Sequence, residues 1–158
     1  MTPPTKQGRN NQLDEISKAI IEQLQVDGRR SYADIGKAVG LSEAAVRQRV
    51  QRLTESGVMQ VVAVTDPMQL GFFRQAMVGI RVAGDATKVV ERLKDIQAVD
   101  YLVLTAGNFD ILAEVVCEND ADLIDLLNQE IRGIPGVQST ETFVYLKLEK
   151  QFYNWGTR

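Results

Sequence analysis

Between Leu13 and Val26 the apolar residues Leu13, Ile16, Ile20 and Leu24 follow the three- and four-residue spacing of one helical face. Asp14 suits the N-cap of that helix and Asp27-Gly28 ends it. Ser31 opens a second helix, with Asp34 three residues on as a short capping box and Ile35, Ala38 and Val39 as its inner face. Gly40 fits the left-handed position that closes a helix, and Ser42 fits the N-cap of the next. From Ser42 to Glu55 the apolar stripe is Val46, Val50 and Leu53. Arg47, Gln48, Gln51 and Arg52 fall on the other side, and Arg49 lies at the flank. A helix, a tight turn and a second helix with an Arg/Gln-rich outer face have the shape of a helix-turn-helix. Arginine can bridge guanine O6/N7 or grip phosphate, and glutamine can pair with the adenine edge. An amphipathic helix with merely solvated charges would show the same local pattern.

After Gly57 the periodicity changes. Val58–Val64 is β-branched and predicts a strand, as a wing or the start of a linker. Asp66-Pro67 and Gly71 punctuate the chain and place a boundary there. Strand periodicity returns at Gln75–Val82, with Val78, Ile80 and Val82 on one side. Asp85 then caps a helix with Val89, Val90, Leu93 and Ile96 inward. Val99–Thr105 and Asp110–Glu118 predict strands around the turn Ala106-Gly107-Asn108. Asp120 caps a helix with Leu123, Ile124, Leu127 and Ile131 inward, and Val137–Leu148 predicts a last strand with Thr140, Thr142, Val144, Leu146 and Leu148 on one face. The order β-α-β-β-α-β is the split βαβ of ferredoxin-like domains, an antiparallel sheet with both helices on one face. In Ile111–Cys117 both strand faces are apolar, so the uncovered face is expected to pair two copies of the chain.

The predicted fold class is therefore α+β. Residues 1–12 form a flexible arm in which Lys6 and Arg9 could touch DNA, and 13–62 a winged helix-turn-helix. Residues 63–71 are a linker, 72–150 a ferredoxin-like domain, and 151–158 an aromatic tail. Phe152, Tyr153 and Trp155 of that tail are expected to pack on the dimer surface.

Composition narrows the function. No apolar run reaches the ~20 residues of a membrane span, and Met1-Thr2-Pro3-Pro4 has no signal-peptide character. The single cysteine, Cys117, cannot close an internal disulfide, which fits a reducing cytoplasm. The absence of histidine removes the usual general base and the commonest metal ligand, so neither catalysis nor a metal or other cofactor is expected. Net charge is −3, yet residues 1–62 carry +2 and residues 63–158 carry −5, so the basic excess sits with the candidate recognition helix. So small an excess calls for a dimer or larger assembly to gather phosphate contacts.

The segments LDEISKAIIEQLQVDGR, YADIGKAVGLSEAAVRQRVQRLTESGVM and TAGNFDILAEV together resemble the leucine-responsive regulator/AsnC family of bacterial and archaeal transcription factors, from Leu13 to about Leu148. The specific positions are Leu41, Ser42, Val46, Arg49, Leu53 and Gly57-Val58, with the hairpin Gly107-Asn108-Phe109-Asp110. The chain departs from the family pattern at Ser17, where an acid is common, and at Phe109, where Tyr is common. The resemblance implies a recognition helix in the major groove, with Arg47, Gln48, Gln51 and Arg52 toward bases or phosphates. Tyr32 and Ser42 would meet the backbone, and Arg49 would be partly structural. A symmetric homodimer would read a pseudopalindromic operator with half-sites about one helical turn, ~34–36 Å, apart, and the family suggests octamers built from dimers.

The second domain would sense a small effector, an amino acid by the same resemblance. The turn Thr105–Asp110 offers backbone groups and a carboxylate to an ammonium and a carboxylate. Thr105, Gly107, Asn108 and Asp110, with Thr140 and Thr142 of the last strand, are the candidates, against a plain hairpin in which Gly107 and Asn108 serve only the turn. Three other functions fit parts of the pattern: a DNA-architectural protein without effector, a sensor whose first domain binds protein, and a sirohaem-decarboxylase-like enzyme. The last needs histidine and basic side chains around a large acidic substrate, whereas this chain has no histidine and its second domain is acidic.

Overall fold

A computed structural model describes residues 13–157. The arm at residues 1–12, with Lys6 and Arg9, lies outside the described residues. The described residues divide into two compact units, 13–64 together with 150–157, and 65–149.

In the first unit, α1 (Glu15–Val26), α2 (Tyr32–Val39) and α3 (Glu43–Glu55) form the helix-turn-helix. Each start is capped by the side chain its sequence provides: Asp14, Ser31 and Ser42 accept from the N–H of Ser17, Asp34 and Ala45. Gly40 ends α2 at φ 72°, a left-handed value that a Cβ would penalise. Ile20, Ile35 and Val46 are fully buried, one from each helix, with Leu24 and Val50 around them. The inward faces are rotated slightly from expectation. Ile16 is exposed while Ile21 and Ser17 are buried, and Ala38 is exposed while Gly36 is buried.

The reason Gly36 lies inside is close approach. A Cβ there would stand 2.5 Å from the Leu41 carbonyl oxygen, and the Gly36 carbonyl accepts from Leu41 N–H at 2.9 Å. Gly36→Ala is therefore expected to destabilise this unit by roughly 1–3 kcal/mol through overpacking against backbone. Gly28→Ala, whose Cβ would meet Val61 at an ordinary 3.6 Å, serves as the control. Urea midpoints of the two variants check this, and equal midpoints would refute it.

The expected strand Val58–Val64 does not form. Val58 and Met59 N–H both return to the Leu53 carbonyl, Met59 packs on the helical core, and Val61, Val62 and Val64 are exposed. β-Branched composition is not enough without a neighbouring strand to complete the ladder, so among the described residues the helix-turn-helix has no β wing.

The second unit opens with a 3₁₀ turn, Pro67–Leu70, capped by Asp66. Then follow β1 (Arg74–Val82), α4 (Ala86–Leu93), β2 (Val99–Leu104), β3 (Ile111–Cys117), α5 (Asp120–Asp125) with a π-helical continuation (Leu126–Ile131), and β4 (Val137–Val144). The sheet order is β2-β3-β1-β4 with antiparallel neighbours, the ferredoxin-like arrangement expected. Ala76, Val78 and Ile80 of β1 and Ile111, Ala113, Val115 and Cys117 of β3 face the helices, meeting Val89, Leu93, Leu123, Leu126 and Ile131.

Three details of this unit differ from expectation. Asn119, not Asp120, caps α5, accepting from Asp122 N–H at 3.0 Å. Ile124 is 55% exposed and Leu126 is buried instead. The π turn explains that exchange, because its i→i+5 spacing puts Leu126 and Ile131 on one face, and Arg132 N–H bonds to the Leu127 carbonyl. Finally, β4 stops at Val144, so Leu146 and Leu148 lie beyond the paired strand and are exposed. Residues 150–157 group with the helix-turn-helix unit, where Gly156 N–H donates to Gln25 Oε1 at 3.2 Å and the Thr157 hydroxyl donates to Glu22.

Candidate nucleic-acid interface and effector region

α3 is built so that one side is occupied and the other is free. Val46, Val50 and Leu53 are buried, and Arg47, Gln48, Gln51 and Arg52, at i, i+1, i+4 and i+5, are exposed on the opposite side. The Ser42 hydroxyl is used in capping, accepting from Ala45 N–H at 3.2 Å. Gln51 Nε2 donates to Glu55 at 2.7 Å. Arg47 Nη2 donates to Glu43 at 2.6 Å, and its guanidinium lies 5.2 Å from the centroid of the Tyr32 ring, so Tyr32 and Arg47 from two helices meet at one point.

Arg49 behaves differently from the other arginines. Its Nη1 donates to Asp14 Oδ2 at 2.7 Å and to the Ser17 hydroxyl at 3.1 Å, tying α3 to the first turn of α1. Ser17, at the position where an acid is common in the family, thus keeps a bond to this arginine, while Asp14 supplies the charge. Asp14 was visible in the sequence only as a cap. Its second role depends on a contact across 35 residues that no local pattern reveals.

Bonds from Ser17 and Arg49 hold the Asp14 carboxyl at about 2, against an ordinary 3.8. A carboxyl lowered by folding stabilises the native state above its unfolded value, and that contribution disappears as pH falls through the folded value. Stability of the first unit is accordingly expected to decline between about pH 4 and pH 2, and the decline to shrink in Asp14→Asn. Helical circular dichroism melts across that range measure it; identical pH profiles would contradict it.

The six effector candidates lie on the β2–β3 hairpin and on β4, with Asp110 and Thr140 on either side of β1 at Ile80. Asp110 is a structural tie: its Oδ2 accepts from Val82 N–H at 2.7 Å, at the point where the β1–β4 register shifts between Arg81 and Val82. The Thr105 hydroxyl donates to the Phe109 carbonyl, and the Asn108 carbonyl accepts from Arg81 Nε at 2.9 Å. Gly107 has no positive φ and open space around it. Thr140 and Thr142 pair with Ile80 and Val78 and so share the helix-covered face. The Thr140 hydroxyl accepts from Arg132 Nε at 2.8 Å. The Thr142 hydroxyl is buried without a partner among the described residues.

The opposite, open face carries Met77, Gly79, Leu112, Val116 and Phe143. The Phe109 ring lies directly over Gly79, where a Cβ would be 2.7 Å away, and meets Phe143 edge-on at 6.2 Å. Beside them Gln75 donates to Glu114 at 2.9 Å, and burial and Glu114 push the Tyr145 hydroxyl up to about 12. A cavity of about 550 Å³, which the sequence did not announce, lies between the 3₁₀ turn and the β2–β3 edge, lined by Leu70, Phe72, Asp100, Val116 and Glu118 among others. Burial raises the Asp100 carboxyl there. Its walls come from three separate segments, so no local motif marks it.

Residues 13–54 match the AsnC-type helix-turn-helix domain and residues 72–158 a C-terminal dimeric alpha+beta barrel domain. The chain is 35% identical over 141 residues to the HTH-type transcriptional regulator FL11 of Pyrococcus horikoshii, covering 88% of this chain and 93% of that one. The crystal structure of the Mycobacterium tuberculosis leucine response regulatory protein LrpA is similar at TM-score 0.80 and 30% identity, covering 88% of this chain and 96% of that one. The Neisseria meningitidis transcriptional regulator NMB0573, solved as a complex with L-Met, shares the fold at TM-score 0.78 and 19% identity, covering 90% of this chain and 95% of that one.

Proposed function

The chain belongs to the leucine-responsive regulator/AsnC family of transcriptional regulators, and from that premise we propose that it reads a pseudopalindromic operator as a homodimer and answers to an amino acid. As in that family, it is a DNA-binding regulator and not an enzyme, which removes the decarboxylase alternative. No helix among the described residues is long and apolar enough to cross a membrane, and the proposal places the protein with its DNA in the cytoplasm.

The observation that carries the DNA reading is the exposed stripe of Arg47, Gln48, Gln51 and Arg52, held rigid by a capped helix whose other side is buried. Preorganised donors on a rigid element are what base-edge recognition needs. Tyr32 and Ser42 stand at the helix starts where phosphates would pass, and Arg49 contributes by fixing the angle of α3. The open apolar sheet face supports pairing of two copies, and further assembly of dimers to octamers belongs to the same proposal.

For the effector, the unpartnered Thr142 hydroxyl supports a polar ligand or partner group near β4, since buried polar atoms are normally satisfied. The Neisseria regulator of the same fold holds L-Met. Thr105, Gly107, Asn108 and Asp110 would then complete the site together with a neighbouring subunit. The bonds that Asp110, Thr105 and Thr140 already make within the subunit equally favour a second reading, an architectural DNA-binding protein with no effector.

A thermal-shift screen of single amino acids, followed by footprinting on a duplex selected from a randomised pool, distinguishes the two readings. A ligand at 100 times its Kd should stabilise the protein by about 2.7 kcal/mol and should alter the footprint. A silent screen with an intact footprint would leave the architectural reading. Absence of paired protections one helical turn apart would overturn the dimeric operator.

A further inference from the structure

Glu43 is the first residue of α3, and its carboxylate holds Arg47 one turn later at 2.6 Å. Tyr32, the first residue of α2, backs the same guanidinium at 5.2 Å. Arg47 and Glu43 are 62% and 53% exposed, so the pair is solvated and adds little to folding stability. Its position matters more, because it lies on the face proposed to enter the groove.

We propose that Glu43 is a specificity-determining residue that keeps Arg47 from gripping DNA indiscriminately. The inference rests on the reading that Arg47 faces the duplex. A guanidinium carries five N–H donors, and guanine offers O6 and N7 as a matched pair of acceptors. At a cognate guanine, Arg47 exchanges one carboxylate oxygen for two acceptors in the fork geometry it prefers. At an A·T or T·A pair only single acceptors, adenine N7 or thymine O4, are offered, and neither repays the loss of the carboxylate. Arg47 stays with Glu43, and together they present no net charge to the phosphates.

A second effect has the same sign. The N-terminus of a helix attracts phosphate through its free N–H groups and its dipole. A carboxylate in the first turn of α3 offsets that attraction wherever the helix touches a backbone without reading it. Residues 1–62 hold an excess of only two positive charges, so one acid per subunit is a large part of the balance. Tyr32 keeps the guanidinium plane in place during the exchange, so that releasing the carboxylate does not release the side chain.

The test compares the full-length protein with Glu43→Gln, Arg47→Ala and the double variant. The probes are the duplex the wild type selects from a randomised pool and a scrambled duplex of equal length. Each is titrated over a range of salt concentrations, and melting curves establish that each variant is folded. Glu43→Gln keeps side-chain length and helix, and is expected to tighten scrambled-duplex binding about 5–10-fold, with its salt slope steeper by about one phosphate contact per subunit. Affinity for the selected duplex should change less than about 2-fold, so the specificity ratio falls. In the Arg47→Ala background, Glu43→Gln should keep only the smaller part of its effect that comes from the helix terminus. If Arg47→Ala leaves selected-duplex binding intact, the placement of Arg47 fails. If Arg47→Ala weakens binding but Glu43→Gln leaves the ratio unchanged, or acts as strongly without Arg47, the role of Glu43 is refuted while the placement stands.

Discussion

An Arg47→Ala, Arg52→Ala double variant is expected to lose at least about 10³-fold in affinity for its selected duplex, at unchanged melting temperature. The two side chains lie on the exposed side of α3, away from Val46, Val50 and Leu53, so their removal opens no cavity. Each base-reading arginine is worth roughly 1–3 kcal/mol. A symmetric dimer uses each twice, and every 1.4 kcal/mol is about tenfold in affinity. A portion of the loss should appear as a shallower salt dependence if either side chain also reaches phosphate. Gel-shift titrations over a range of salt concentrations, with a circular dichroism melt as control, decide the matter. An unchanged affinity and slope would mean that α3 does not enter the groove.

The second large effect is expected at the open sheet face. Phe143→Glu should turn the dimer into a monomer and weaken operator binding by about 10²–10⁴-fold, the range lost when two linked sites become independent. Phe143 is 46% exposed in the single chain and meets Phe109 edge-on, with Met77 as its neighbour on β1. A charge placed among these groups would have to be desolvated on pairing, and the arginine of the cluster, Arg81, is already engaged with the Phe109 ring and the Asn108 carbonyl. Because Phe143 points away from the helix-covered core, the subunit itself should still fold. Light scattering at micromolar concentration would settle it; a dimeric Phe143→Glu would show that the copies pair elsewhere.

The parts of this molecule legible in the sequence were those set by local chemistry. Caps at Asp14, Ser31, Ser42 and Asp85, the left-handed Gly40, and the β-α-β-β-α-β alternation all depend on residues a few positions apart. What failed to read depended on distant partners. Val58–Val64 has strand composition but no strand beside it, and the run past Val144 is apolar without staying paired. The exchange of Ile124 for Leu126 came from a π turn that the 3.6-residue template cannot represent. At the sites the same division holds. The outer stripe of α3 was readable because a helix fixes which residues share a side. The bond of Arg49 to Asp14 and of Asp110 to Val82 N–H was not, since each joins segments far apart in the chain.

The helix-turn-helix draws on a segment 131 to 135 residues away in the chain, since Gly156 and Thr157 bond to Gln25 and Glu22 of α1. During synthesis, then, the head emerges first but waits for Gly156 and Thr157 before these contacts can close. A premature stop after Glu149 would spare the sheet and its helices, yet it would be a lesion of the DNA-binding head.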